Sequence, residues 1–151
     1  MKKKSIYLDT SVISALFDSR TPERQHLTKL FWEQAISSYN IYISEIVIDE
    51  LNDVSDKSLQ HELLNTIANF KVLNVSKEIT DLANEYVSRN IIPQKHSVDA
   101  VHIAVAVFNG INYLVSWNFK HMVKVKTREQ VMLVNSLLGY PILDIVAPPE
   151  L

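Results

Sequence analysis

Apolar residues along this chain follow two rhythms. Short apolar, β-rich runs at residues 6–8, 41–44, 71–75, 113–116 and 142–144 predict strands. Between them, at 23–38, 45–54, 58–69, 77–89, 97–108 and 128–138, lie longer segments with helical periodicity. In the first of these, Leu27, Leu30, Phe31, Gln34 and Ala35 fall at helical spacing. Strands alternating with helices of this length predict an α/β fold, a three-layer α/β/α sandwich around a central, mostly parallel sheet of about five strands. The only glycines are Gly110 and Gly139, and prolines are sparse. There is no repeat, linker or low-complexity tract, so residues 1–151 are expected to form a single domain. Ligands of such sheets bind beyond the carboxyl ends of the strands, near the point where strand order reverses.

Three acids interrupt the apolar pattern. Asp9 follows the run Ile6-Tyr7-Leu8 and precedes Thr10-Ser11, which opens a helix. It is suited to cap that helix, and capping is compatible with binding a ligand. Glu50 lies within the stripe formed by Ile46, Val47, Leu51 and Val54, whereas Glu45, Asp49 and Asp53 fall on the flank or outer side. An inward-facing Glu must be paired, with an internal Lys or Arg for example, or be metal-bound, because an unpaired buried charge costs several kcal/mol. Asp99 opens a segment that is apolar almost all round and therefore central. Ser97 is available as its cap, which leaves Asp99 as a partner for the helix dipole or as a ligand.

Other residues at the same places are open to two readings. Asn118 follows the fourth strand and is either a turn residue or a source of a neutral oxygen or water-orienting amide. His96 and His102 bracket Asp99, and His121 follows Asn118. A core or supporting role is expected for these histidines rather than metal ligation.

Composition narrows the chemistry. The chain has no cysteine, which excludes a disulfide framework, a thiolate nucleophile and a thiolate zinc site. Lys2-Lys3-Lys4 precedes an apolar stretch that stops at Asp9, unlike a signal peptide. No apolar run approaches the roughly 18–20 residues needed to span a bilayer, so no membrane association and a cytoplasmic location are expected. A formal net charge of −2 argues against coating nucleic acid non-specifically. It does not argue against a nuclease, because a bound cation offsets an acidic cluster. Three carboxylates without thiols suit a hard divalent ion, Mg²⁺ or Mn²⁺.

The succession Leu8-Asp9-Thr10-Ser11, Ser44-Glu45-Ile46-Val47-Ile48-Asp49-Glu50-Leu51, Asp99-Ala100-Val101-His102-Ile103-Ala104 and Ser116-Trp117-Asn118-Phe119-Lys120-His121 resembles the PIN-domain family. More narrowly, it is similar to the VapC-type toxins of toxin–antitoxin pairs. The resemblance covers nearly the whole chain. It implies a metal-dependent ribonuclease, the toxin of a type II pair, with Asp9 and Asp99 as main metal ligands and Glu50 as a direct or water-mediated one.

The family often carries a fourth acid where this chain has Asn118, which leaves a second ion in question and gives Asn118 a water- or ion-positioning role. A hydroxyl beside the first acid is matched by Thr10 or Ser11. Lys120 and Lys124, with Lys126 and Arg128, are candidates to meet the phosphates of unpaired or loop RNA. Trp117 is either a base-stacking residue or a core one. A small antitoxin blocking the acidic cleft, and a homodimer formed through the early helices, are also implied. Two alternatives stand beside this reading. A phosphohydrolase forming an aspartyl-phosphate at Asp9 is poorly served, because Ser11 stands where such enzymes carry a second acid. A catalytically weakened PIN-like RNA-binding or protein-interaction module is the other.

Overall fold

The computed structural model describes residues 2–151. Five strands, β1 (Ser5–Leu8), β2 (Asn40–Ser44), β3 (Lys71–Leu73), β4 (Tyr113–Val115) and β5 (Asp144–Val146), form one sheet in the order β3-β2-β1-β4-β5. Every pairing is parallel. The expected mostly parallel sheet is therefore wholly so.

Seven α-helices connect the strands: α1 (Thr10–Ala15), α2 (Pro22–Ser38), α3 (Glu45–Asn52), α4 (Lys57–Thr66), α5 (Lys77–Ser88), α6 (Ser97–Phe108) and α7 (Val125–Leu137). Helices α1 to α4 pack with one another, and α5 packs on α6. Tyr86 of α5 donates to Asn135 of α7. Right-handed crossovers from a central β1 put these two groups on opposite faces of the sheet. The core between them includes Ile6, Tyr7, Ile43, Ile103 and Leu114, all fully buried.

β1, β2 and β4 differ from their expected limits by one residue, and β3 and β5 by two, the last two each for a local reason. β3 ends at Leu73 instead of running to Val75 because the Val75 N–H leaves the ladder and donates to Glu45 Oε1 at 2.8 Å. β5 begins at Asp144, where 142–144 was expected. Its pairing runs from Tyr113↔Asp144 to Val115↔Val146, and Ile142 is left 73% exposed. The residues between α7 and Asp144 are used to turn the chain, starting at Gly139 with φ +80°. Glycine is favoured there because the left-handed region crowds a Cβ. The same helix-ending geometry recurs after α6. The Gly110 N–H donates to Val107 O and the Ile111 N–H to Ala106 O, closing a Schellman motif.

Strand order reverses at β1. The chain passes outward through β2 and β3, then returns to lay β4 against the other side of β1. The carboxyl ends of β1 and β4 thus flank the switch point, where Asp9 and Ser116 begin the outgoing loops.

Candidate functional site

Asp9 occupies the N-cap position of α1, but its side chain makes no capping bond. Its backbone N–H still belongs to the sheet, donating to Val115 O at 3.3 Å. The carboxylate instead accepts Ser11 Oγ–H at Oδ1, 2.6 Å, and Ser116 Oγ–H at Oδ2, 2.5 Å. Each hydroxyl is itself held from behind, Ser11 Oγ accepting the Trp117 N–H and Ser116 Oγ the Asn118 N–H, both at 2.9 Å. Only 4% of Asp9 is exposed. Burial pushes its pKa above the usual carboxylate value, and this outweighs the opposing pull of His102 and the two serines.

Glu50 projects from α3 toward α1 and α6. Its Oε1 accepts from Thr10 Oγ1 and pairs with His102 Nε2, both at 2.7 Å. Partial burial opposes its ionisation, but the bonds from His102 and Thr10 prevail and hold its pKa below the ordinary value. The expected internal partner is thus a histidine, not a lysine or arginine. The ring of His102 is 3% exposed, and its Nδ1 meets Tyr7 Oη at 2.6 Å, which in turn lies 2.8 Å from Ser44 Oγ. Ser44 also caps α3, accepting the Ile46 N–H. Ser44, Tyr7, His102 and Glu50 thus form one unbroken line of hydrogen bonds. The supporting role expected for His102 is what its contacts describe. Tyr7 is a component the sequence did not single out, because a tyrosine in a buried strand carries no distinctive pattern.

Asp99 lies half-buried in the first turn of α6. Asn118 Nδ2 donates to its Oδ2 at 3.1 Å, and Asn118 Oδ1 accepts the His121 N–H at 2.9 Å. Asn118 therefore shapes a turn, as one of its two readings had it, and its amide also holds an oxygen of Asp99. Asp9 is joined to Asp99 through Ser116 and Asn118, and Glu50 is joined to α1 through Thr10. Among the described residues no Lys or Arg forms a salt bridge with Asp9, Glu50 or Asp99.

Asp9, Glu50 and Asp99 line one rim, but they do not form a trio with ligand atoms all within 4.8 Å of one another. Each makes hydrogen bonds to its own partners. The trio that does meet this spacing is His96, Asp99 and His121. The rings of His96 and His121 stack with centroids 4.2 Å apart. Burial, and then the charge of His96, lower the pKa of His121. The sequence signal was present in His96, three residues before Asp99, and in His121, three residues after Asn118, but not the contact between the two rings.

The hydroxyl protons of Thr10 and Ser11 are spent inside the site, on Glu50 and Asp9, so these residues orient carboxylates. Lys120, Lys124 and Lys126 are exposed after Asn118. Arg128 separates from them, reaching Ile145 O at 3.4 Å and Glu150 at 3.7 Å. Trp117 is a core residue, 7% exposed, whose Nε1–H donates to Thr28 Oγ1. Its ring is covered by the guanidinium of Arg24, 5.0 Å from the centroid. Arg24 thus supplies a cation beside the Trp117 loop that the sequence gave no reason to select.

A PIN-domain family model matches residues 6–121, and the chain belongs to that family. No curated protein matches it significantly. Among solved structures, the chain is similar to a toxin–antitoxin complex from Klebsiella pneumoniae, with TM-score 0.63 and 18% identity over 82% of this chain and 94% of that one. It is also similar to VapC20 of Mycobacterium tuberculosis, a toxin that cleaves the sarcin–ricin loop, with TM-score 0.62 and 21% identity over 78% and 92% of the two chains. A third likeness is to VapBC-1 of nontypeable Haemophilus influenzae, with TM-score 0.62 and 14% identity over 95% and 98%. At these identities the likeness is one of fold. No helix among the described residues is long and apolar enough to cross a membrane.

Proposed function

We propose that this protein is a divalent-metal-dependent ribonuclease and the toxin member of a toxin–antitoxin pair. The observation that carries the reading is Asp9, a buried carboxylate at the switch point of the sheet with no cationic side-chain partner, held by two hydroxyls. Family membership supports nuclease chemistry, and the toxins of similar fold support the toxin assignment. Asp9, Asp99 and Glu50 would hold the ion. The donors on this rim are carboxylates, hydroxyls and an amide, the oxygen-rich set that Mg²⁺ or Mn²⁺ favours. When bound, the ion would supply Lewis-acid polarisation of the phosphate and acidify a water for attack.

The chain's own residues contribute orientation. Ser11 and Ser116 direct the two oxygens of Asp9, Thr10 and His102 fix Glu50, and the Asn118 amide turns Asp99. Exposed Lys120 and Lys124 stand after Asn118 to meet the phosphates of single-stranded or loop RNA. A small antitoxin would close this cleft, and a homodimer is the expected assembly, in keeping with the toxin–antitoxin complexes of like fold.

The test is cleavage of an RNA pool by the purified protein with Mg²⁺ or Mn²⁺. Cleavage that needs the ion and disappears in Asp9→Ala and Asp99→Ala is expected. RNA bound but uncut by the wild type under any divalent ion would leave the non-catalytic binding module in its place.

A further inference from the structure

We propose that His96, Asp99 and His121 form a binding position for a borderline transition-metal ion of the Zn²⁺ class, at the outer lip of the carboxylate rim. Three separate pieces of chain build it. His96 ends a 3-10 turn (Gln94–His96), Asp99 lies in the first turn of α6, and His121 follows β4 in the loop ordered by Asn118. One ligand atom from each falls within 4.8 Å of the other two.

No hydrogen bond occupies a ring nitrogen of either histidine among the described residues, although both side chains are half-buried and their rings stack at 4.2 Å. Two imidazoles brought into contact from positions 25 residues apart in the sequence, with their nitrogens uncommitted, are free to share one ligand with Asp99. Asn118 holds one oxygen of Asp99, and no donor among the described residues occupies the other.

The donor set decides the kind of ion. Two neutral imidazoles and one carboxylate favour Zn²⁺ and its neighbours over Mg²⁺, which prefers all-oxygen surroundings. Tetrahedral Zn²⁺ with ligand bonds near 2.0–2.1 Å sets its donors about 3.3 Å apart. Small side-chain rotations would bring the trio to that spacing. A bound ion would tie the loop after β4 to the start of α6 and fix Asp99 in place. The site shares Asp99 with the proposed nuclease centre, but it is read by direct binding and does not depend on RNA cleavage.

The test is calorimetric titration of the full chain, freed of metal, with Zn²⁺, together with the visible spectrum of the Co²⁺-loaded protein. Expected is one Zn²⁺ per chain, bound at least 100-fold more tightly than Mg²⁺. His96→Ala and His121→Ala should each lose tenfold or more in affinity, and the Co²⁺ ligand-field bands should be lost or shifted. His26→Ala and His61→Ala, which remove exposed histidines on α2 and α4, should bind as the wild type does. His96→Gln and His121→Gln serve if an alanine variant fails to fold. Undiminished Zn²⁺ affinity in both site variants, or equal affinity for Mg²⁺ and Zn²⁺, overturns the proposal. Loss of ribonuclease activity alone leaves it standing.

Discussion

Asp9 has the hydrogen bonds of a carboxylate in the surroundings of an acid. Both acceptor bonds favour the charged form, but burial favours the neutral form by more, and its pKa is raised in the fold. Between the unfolded and the folded pKa the native state holds the extra proton, so stability falls as pH rises through that window. Above that window Asp9 therefore costs stability when no cation faces it. Asp9→Asn should raise the melting temperature of the metal-free protein by about 3 °C, the shift that about 1 kcal/mol produces in a domain of this size, while abolishing RNA cleavage. Calorimetry in EDTA, run beside the activity assay, checks both. A melting temperature at or below that of the wild type would show that the carboxylate is not strained.

Elements β1, β2, α3 and α6 are tied together by one line of polar groups, Ser44–Tyr7–His102–Glu50. Tyr7 and Ser44 are fully buried and His102 nearly so, so each bond removed strands a polar atom. Tyr7→Phe leaves His102 Nδ1 without a partner and leaves Ser44 Oγ only the Ile46 N–H. It should destabilise the protein by about 1–3 kcal/mol, read as a lower urea midpoint at unchanged slope. Because His102 would then be free to turn away from Glu50, kcat should fall while the KM for RNA stays near its original value. A change confined to KM would show that Tyr7 serves packing and not Glu50.

Taken whole, the molecule is slightly acidic, with a net charge of −2, yet it carries a short run of exposed lysines after the site loop. Phosphate contacts release counter-ions, and each one lost lowers the salt dependence of binding by about one unit of slope. Lys120→Ala and Lys124→Ala combined should weaken RNA binding about uniformly across sequences and reduce the slope of log K against log salt by about 2. Filter binding across a salt series measures this, using Asp9→Asn to prevent cleavage. An unchanged slope would mean that the RNA enters elsewhere, with the Arg24 side of the Trp117 loop as the next place to look.

Short apolar runs and the period-3.6 pattern determined which segments are strands and which are helices, because a central parallel strand is buried on both faces and an outer helix on one. Segment 97–108 was legible to the residue, since a helix apolar on every side has no other home than the interior. Asp9, Glu50 and Asp99 stood out as acids that interrupt apolar stretches, and Asn118 by its place after the fourth strand. Strand ends were less legible. Glu45 takes the Val75 N–H out of β3, and the register with β4 fixes the start of β5, and both are contacts between residues far apart in sequence. The site's inner partners were likewise decided only by folding. Tyr7, Ser116 and His121 are ordinary residues in the linear chain. They acquire roles because parallel pairing of β4 with β1 sets the loop after one strand beside the loop after the other. Local periodicity records what a segment must bury, whereas the partner of a buried carboxylate depends on which distant segment the sheet order brings alongside it.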